Sequence, residues 1–420
     1  MKEEKSDTTY KIISSCRSCK GSNLMPYLDL GITSLANGLI KPEDVGKNEL
    51  KFPLVVCYCK DCFLSQLSVV VNPEILFRDY FYMSSISNTF KTHCNTIAFD
   101  LIDTMKLDHN DLVVDIASND GCLLQEFKKK QIKTLGVEPA VNLAKFANSY
   151  GIETLNHFWD NETAIKIAKE YGGAKVITAF NVFAHVDDVH SFVQNVRTAL
   201  RDDGIFVIEV PYLIDFLEKH EFDTVYHEHL SYFLLKPLQH ILDQNGMKII
   251  KVKKYPIHGG TIEVRAVKNT NYAKNMISNV DDFIIIEKNL GFYNVESYLN
   301  FANEVQNIKK NLTELIRDLR QKGKKIAGFA ASAKGNTLLN YCGIDSNSVK
   351  YIVDETPTKQ GLLTPGSHIP IVPMSSLEND PPDYLLILAW NFIEEIMEKT
   401  KQFKGRDGKY IIPIPKIQIV

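Results

Sequence analysis

The sequence predicts an α/β protein in three units: a small cysteine-stapled module followed by two domains in which strands and helices alternate. Three observations carry this reading. The chain has 420 residues, which is about three domains at roughly 150 residues each. Five of its eight cysteines, Cys16, Cys19, Cys57, Cys59 and Cys62, fall in the first 62 positions. Beyond them, apolar strand-like runs alternate with helical ones in two separate stretches, the rhythm of a wound sheet. Hydrophobic residues at 45% and charged residues at 24% match an ordinary globular chain rather than a disordered or fibrous one.

Charge and hydropathy narrow the partners. Lys plus Arg number 48 against 51 Asp plus Glu, a formal net charge of −3, without the basic footprint that nucleic-acid binding requires. No apolar run approaches the ~18 residues of a membrane span. The charged start, Met1 to Lys11, lacks the apolar core and cleavage site of a secretory signal. Neither nucleic acid nor membrane is expected as a partner, and the cytoplasm is the expected compartment.

The first unit, residues 1–70, carries Cys16-Arg17-Ser18-Cys19 and Cys59-Lys60-Asp61-Cys62. Each Cys-x-x-Cys pair offers two thiolates from one tight turn, and four soft ligands make a closed, structural Zn²⁺ site. Disulfides are the competing reading, and they rarely persist in a reducing compartment. Cys57 could replace Cys59, although Cys57-Tyr58-Cys59 is a strained pair for one ion. Cys57, Cys94, Cys122 and Cys342 otherwise read as small buried hydrophobes. So small a module is short of core, and metal binding would supply folding free energy.

In the second unit, residues 71–267, Phe90, Ile97, Leu101 and Met105 predict a helix over 88–106, and strands are expected at 111–116, 134–137, 176–180 and 205–210. Val113 to Gly121 is a strand running into a tight loop that opens a helix over 122–129. Ligands of open α/β sheets sit above such strand ends. The loop has no Gly-x-Gly-x-x-Gly, which disfavours a dinucleotide. The next strand ends at Glu138-Pro139, an acid about 20 residues on that can accept from two ribose hydroxyls. One loop plus one acid suits a mononucleoside such as S-adenosylmethionine; such an acid is otherwise a helix cap or a solvated charge.

The third unit, residues 268–420, begins with a polar helical stretch over 295–322 bearing Leu299, Val305, Ile308, Leu312 and Leu315. Strands follow at 325–329, 349–353 and 384–389, with helices from about 336 and 392. Ala330 to Thr337 brings small residues and Lys334 to a helix N-terminus, which favours an anionic phosphate. P-loop spacing is absent, so nucleotide hydrolysis is not supported. The apolar tail Tyr410 to Pro415 reads as a terminal strand or as an interface.

Taken together, Val113 to Gly121, Glu138-Pro139, Asn181 to Val186, Ile208 to Tyr212, Phe222 to Phe233 and Ile257 to Thr261 resemble the S-adenosylmethionine-dependent sugar C-methyltransferases of deoxysugar biosynthesis. The resemblance spans nearly the whole chain, including both cysteine pairs and Ala333 to Asn340, and its most specific run is Tyr226-His227-Glu228-His229-Leu230-Ser231-Tyr232. Ala117 departs from the glycine expected there. The resemblance implies a zinc-binding module, a class I (Rossmann-like) methyltransferase domain and a C-terminal Rossmann-like α/β domain, with S-adenosylmethionine and structural Zn²⁺ as cofactors. Asp115, Ala117, Ser118, Asn119, Gly121, Glu138, Pro139, Asn181 and Val182 would hold the methyl donor. His229 would be the general base, with Tyr226 and Glu228 on the hexose and Glu228 orienting the base. Asn181 and His185 would also meet the sugar, His185 being the rival base. Tyr80 and Tyr82 belong to a segment that would close over the site, with Tyr80 on the ketone oxygen. Asp354, Lys359 and Gln360 would lie near the nucleotide, and Lys334, Asn336 and His258 would complete the grip on a nucleotide-linked keto sugar, expected to be dTDP-linked.

The chemistry sets what the site must contain. A sugar carbon becomes nucleophilic as the enolate beside a ketone, which requires a positioned base and donors for the developing oxyanion. The residues alone split the base between His227 and His229, and strand-like alternation would put Tyr226 and Glu228 on one face and His227 and His229 on the other. The expected reaction is C3-methylation of a nucleotide-linked 4-keto-deoxyhexose. C5 is the near rival, an O- or N-methyltransferase the second enzyme reading, and a zinc ribbon recruiting a protein partner the non-enzymatic one.

Overall fold

The computed structural model describes residues 9–47, 49–78, 80, 82–257, 259–270 and 278–420. Three successive antiparallel strands, Leu24–Ser34, Lys51–Cys59 and Ser65–Leu67, form the first sheet. Its fourth strand, Ser231–Tyr232, comes from the residues just after His229 and pairs antiparallel with Ser65–Leu67. Tyr10–Ile12 pairs separately with Val69–Val71. The module thus obtains the core it lacks by sharing one: Leu28, Leu54, Val56 and Leu67 belong to the same buried cluster as Tyr232 and Phe233.

The central sheet has seven strands in the order Met247–Tyr255, Thr261–Lys268, Leu200–Pro211, Ala174–Phe180, Leu112–Ile116, Lys133–Val137, Thr154–Leu155. All neighbours are parallel except along Thr261–Lys268, which runs antiparallel to both strands beside it. Both faces are covered, as a parallel sheet requires. Val113, Val176, Ile205 and Val207 pack on one face beneath helices Asn88–Met105 and Cys122–Lys128, whose Ile97, Leu101, Leu124 and Phe127 join the same cluster. Val114, Ile177, Phe206 and Ile208 face the larger core. Strand order reverses between Leu112–Ile116 and Ala174–Phe180, so the loops after them diverge and open a crevice.

The last sheet has the order Ile371–Val372, Ile352–Val353, Ile326–Phe329, Tyr384–Ile387, Lys409–Ile412, Gln418–Ile419, parallel except for the final pair. The apolar tail is therefore strand: Tyr410 and Ile411 are fully buried. Helix Val295–Gln321 precedes this sheet and buries Val305, Ile308 and Leu312 as expected, with Leu315 half-buried, but its first turns differ. Leu299 is exposed, whereas Tyr298 and Phe301 turn inward, Tyr298 against Tyr27 at 5.1 Å and Phe301 against Phe216 at 4.8 Å between ring centroids. The helix is thereby wedged between the first sheet and the central domain. Among the described residues no helix is long and apolar enough to cross a membrane.

Candidate active site

The Sγ atoms of Cys16, Cys19, Cys59 and Cys62 all lie within 4.8 Å of one another, with Cys16–Cys62 at 3.4 Å and Cys19–Cys59 at 3.6 Å. A tetrahedral ion with metal–sulfur bonds of ~2.3 Å spaces its ligands about 3.8 Å apart, so the four cysteines fit zinc. Cys57 is outside the cluster; burial pushes its thiol up to about 11, in the role of a small hydrophobe.

At the crevice, Ala117, Asn119 and Asn181 all adopt positive φ, near +54°, +53° and +54°. That is why a glycine is expected at 117 and why the alanine there is strained. Glu138 accepts 2.8 Å hydrogen bonds from the Asn119 and Ala140 N–H groups, and burial pushes its carboxyl up to about 7. Asp115 accepts from Thr178 Oγ1 at 2.6 Å and is likewise raised to about 7 by burial. Gly121 caps helix Cys122–Lys128, and Ser118 Oγ is buried without a hydrogen-bond partner among the described residues. The Pro139 carbonyl accepts from Asn156 Nδ2 at 3.0 Å, and the Val182 carbonyl from the His185 N–H at 2.8 Å. A carboxylate with free lone pairs and an orphaned hydroxyl, side by side at the strand ends, fit a mononucleoside.

A strap before helix Asn88–Met105 crosses this mouth. Tyr80 exchanges two hydrogen bonds with Asn142, Asn119 Nδ2 donates to the Tyr82 carbonyl, and Ser84 and Ser85 N–H donate to Asn119 and Asp120.

Residues 226–229 form a turn, closed by the His229 N–H donating to the Tyr226 carbonyl at 2.9 Å. The alternating faces expected of a strand are therefore not found. Tyr226 and His229, three apart, meet on one side with Tyr226 Oη 2.8 Å from His229 Nε2. His227 points away, its Nε2 3.3 Å from the carbonyls of Phe52 and Pro53. His229 Nδ1 lies 2.8 Å from the Thr224 carbonyl, which can only accept, so Nδ1 carries the hydrogen and Nε2 presents its lone pair to Tyr226. Burial, helped by His185, holds His229 well below the usual histidine range. The His185 ring stacks on His229 at 5.0 Å and on Phe77 at 5.7 Å, and burial lowers it to about 4.

Among the described residues Glu228 makes no hydrogen bond to the His229 ring, which Thr224 and Tyr226 hold instead, so it does not orient the candidate base as expected. Its Oε1 accepts from Asn37 Nδ2 at 2.6 Å and its Oε2 from Tyr80 Oη at 2.8 Å, and burial pushes it up to about 7. Asn37 was not foreseen: Asn37-Gly38 reads locally as turn chemistry, and only the fold carries it to Glu228.

The C-terminal residues lie close by. Lys334 Nζ is 3.5 Å from Glu221 Oε2 and lies over the Trp390 ring, whose Nε1 donates to Asp223. Asn336 Nδ2 donates to the Ala36 carbonyl, next to Asn37. Asp354 accepts from the Ala331 N–H, Lys359 donates to the Ala331 carbonyl, and Gln360 donates to the Asp354 carbonyl, tying the two strand-end loops together. His258 lies outside the described residues. Gly260, at φ +141°, has a conformational reason: a Cβ there would come 2.3 Å from Asp215 Cγ.

The sheet order with its single antiparallel strand, and the loop-and-acid crevice at its reversal point, define a class I methyltransferase. Comparison with known proteins gives the family. The sequence matches a zinc binding domain over residues 16–77, a methyltransferase domain over 90–252 and a C-methyltransferase C-terminal domain over 256–415. It is 34% identical over 408 residues to the C-methyltransferase NovU of Streptomyces niveus, covering 97% of each chain. Among solved structures it is similar to magnesium protoporphyrin IX methyltransferase of Synechocystis PCC 6803 (10% identity, 42% of this chain and 79% of that one, TM-score 0.33). It is also similar to the YcgJ protein of Bacillus subtilis (15% identity, 43% and 100%, TM-score 0.35). The chain belongs to the S-adenosylmethionine-dependent sugar C-methyltransferase family.

Proposed function

We propose that this C-methyltransferase acts in the cytoplasm on a dTDP-linked 4-keto-deoxyhexose, methylating C3 after enolisation by His229. The observation that carries the reading is the pair of bonds on one imidazole, Nδ1–H to the Thr224 carbonyl and Nε2 to the Tyr226 hydroxyl. A neutral imidazole locked in that tautomer can take a proton only at Nε2. When the sugar C–H occupies that position, Tyr226 Oη is released to donate to the ketone oxygen as negative charge develops there. Tyr80, whose hydroxyl burial and Glu228 keep protonated, is the second donor once its single O–H turns from Glu228 to the ketone oxygen. Glu228 keeps free lone pairs for a sugar hydroxyl while orienting Tyr80. Neutral His185 stacks beside the base, and Asn181 would meet the sugar from the neighbouring strand end.

When bound, S-adenosylmethionine supplies an electrophilic sulfonium methyl. Asp115, Ala117, Ser118, Asn119, Gly121, Glu138, Pro139, Asn181 and Val182 would hold it, and the strap over the mouth excludes water. Work is divided among units 1–70 (zinc), 71–267 (methyl transfer) and 268–420 (nucleotide), where Lys334, Asn336, Asp354 and Lys359 take the nucleoside diphosphate. The test incubates the protein with dTDP-4-keto sugars in D₂O, with the methyl donor or its demethylated product, and reads methyl and deuterium at each carbon. Methyl and exchange at C3 support the reading in full; both at C5 keep the mechanism and move the product. Neither label on any keto sugar, with the donor still bound, sinks it.

A further inference from the structure

We propose that Arg17, between the two cysteines of the first pair, is a positioning residue that fixes the backbone carrying His229 and His185. This rests on the role given to His229 above. Arg17 is 3% exposed although it belongs to a 420-residue chain with ample surface for a cation. Its Nη1 donates to the carbonyls of Leu67 at 2.8 Å and Leu230 at 3.0 Å, and its Nε to Asp187 Oδ1 at 3.1 Å. Leu230 directly follows His229, and Asp187 lies two residues beyond His185. The two segments are also joined to each other, since the Leu230 N–H donates to the Ala184 carbonyl at 2.8 Å. One guanidinium therefore grips both strands of chain whose imidazoles stack on each other.

The far end of the grip is equally fixed. The Arg17 N–H donates to Gln66 Oε1 at 2.8 Å, and the Ser18 carbonyl lies 2.7 Å from His190 Nε2, the next element after His185. The Leu230 carbonyl already accepts from the Leu67 N–H at 2.9 Å, so Arg17 takes its second lone pair and leaves it no freedom to tilt. A planar fork delivers donors at fixed angles, which a lysine ammonium does not. Arg17 touches no residue assigned to the substrate, so its influence on rate is geometric, and misplacement of a reacting group by about 1 Å costs roughly 10²-fold.

The experiment uses the full-length, zinc-loaded protein with ¹⁵N-labelled histidine, as wild type, Arg17→Gln, Arg17→Lys and Asp187→Asn. Zinc stoichiometry, thermal midpoint, S-adenosylhomocysteine affinity, kcat, KM and the His229 ring ¹⁵N resonances are measured for each. Arg17→Gln is expected to keep its zinc and its S-adenosylhomocysteine affinity, to shift the His229 resonances, and to lose about 10- to 100-fold in kcat, the range for residues that orient others, with KM nearly unchanged. Arg17→Lys should recover part of kcat. If Arg17→Gln does not fold, Asp187→Asn, partly exposed, must show the same shift in smaller measure. A folded, zinc-containing Arg17→Gln or Asp187→Asn with wild-type His229 resonances and kcat overturns the proposal. The resonances need no sugar, so a wild type that turns over no keto sugar counts against the substrate reading while Arg17 is still decided.

Discussion

The Asn37 side-chain amide donates a 2.6 Å hydrogen bond to Glu228 Oε1 across 191 positions of sequence. The cysteine module therefore reaches the Tyr226–His229 turn with a side chain of its own. Asn37→Ala leaves one buried carboxylate oxygen without its donor, and Asn37→Asp sets a second acid against it. The alanine variant should lose about 10-fold in kcat and the aspartate variant more, in line with the cost of unpairing buried charged groups, with S-adenosylhomocysteine affinity unchanged by calorimetry. Equal kcat in all three proteins would remove Asn37 from the site.

His229→Ala should lower kcat by about 10²–10⁴, the usual contribution of a general base, and abolish deuterium exchange at the substrate carbon. Tyr226→Phe keeps the base but not the donor, so exchange should persist at a reduced rate. Exchange that survives in His229→Ala and disappears in His185→Ala would hand the base role to His185.

The Glu228 carboxyl is raised by burial from its ordinary 4.5 to about 7. Between those values the unfolded chain has released a proton that the folded chain retains, so this residue's contribution to stability is complete below about 4.5 and declines as pH rises to about 7. Glu228→Gln removes the titration. Its stability relative to wild type should improve by about 1–3 kcal/mol between pH 4.5 and 7.5, read by urea denaturation at both. A difference that stays flat with pH contradicts the raised carboxyl.

Cys59→Ser should lose zinc and destabilise the protein by about 4 kcal/mol or more, the class of effect expected when a structural metal goes. Cys57→Ser, outside the cluster, should retain full zinc with a cost of about 1–3 kcal/mol for a buried hydroxyl. Metal analysis and thermal melts of the two variants check this, and the reverse order would mean that Cys57 is the ligand.

Gly260→Ala meets both a positive φ and the carboxyl of Asp215. A loss of about 2–4 kcal/mol is expected from strain and overpacking together, measured by urea denaturation; a neutral substitution would show that the loop relaxes freely.

The parts of this architecture legible in the sequence are those whose cause is local. Leu112 to Val114 with Ile116 form an apolar run broken only by Asp115, and it is a central strand; the Cys-x-x-Cys spacing alone brings sulfurs together in pairs. What escaped reading depends on distant partners. Tyr226 to His229 are four consecutive polar residues without a period, so nothing local distinguishes a strand from the turn they form. In helix Val295–Gln321 the helical spacing finds Val305, Ile308 and Leu312, but near its start Leu299 is exposed and the buried positions are Tyr298 and Phe301, whose rings meet Tyr27 and Phe216 elsewhere in the chain. Asn37 could be recognised only once Glu228 stood opposite it.

Because strand Ser231–Tyr232 completes the first sheet, residues 16–77 are not a transferable cassette. Grafted onto another enzyme, they would present Ser65–Leu67 as a bare edge, the kind of surface that recruits foreign strands and aggregates. The two stretches have to be inherited as a pair, and a recombinant that separates them would lose solubility as well as catalysis.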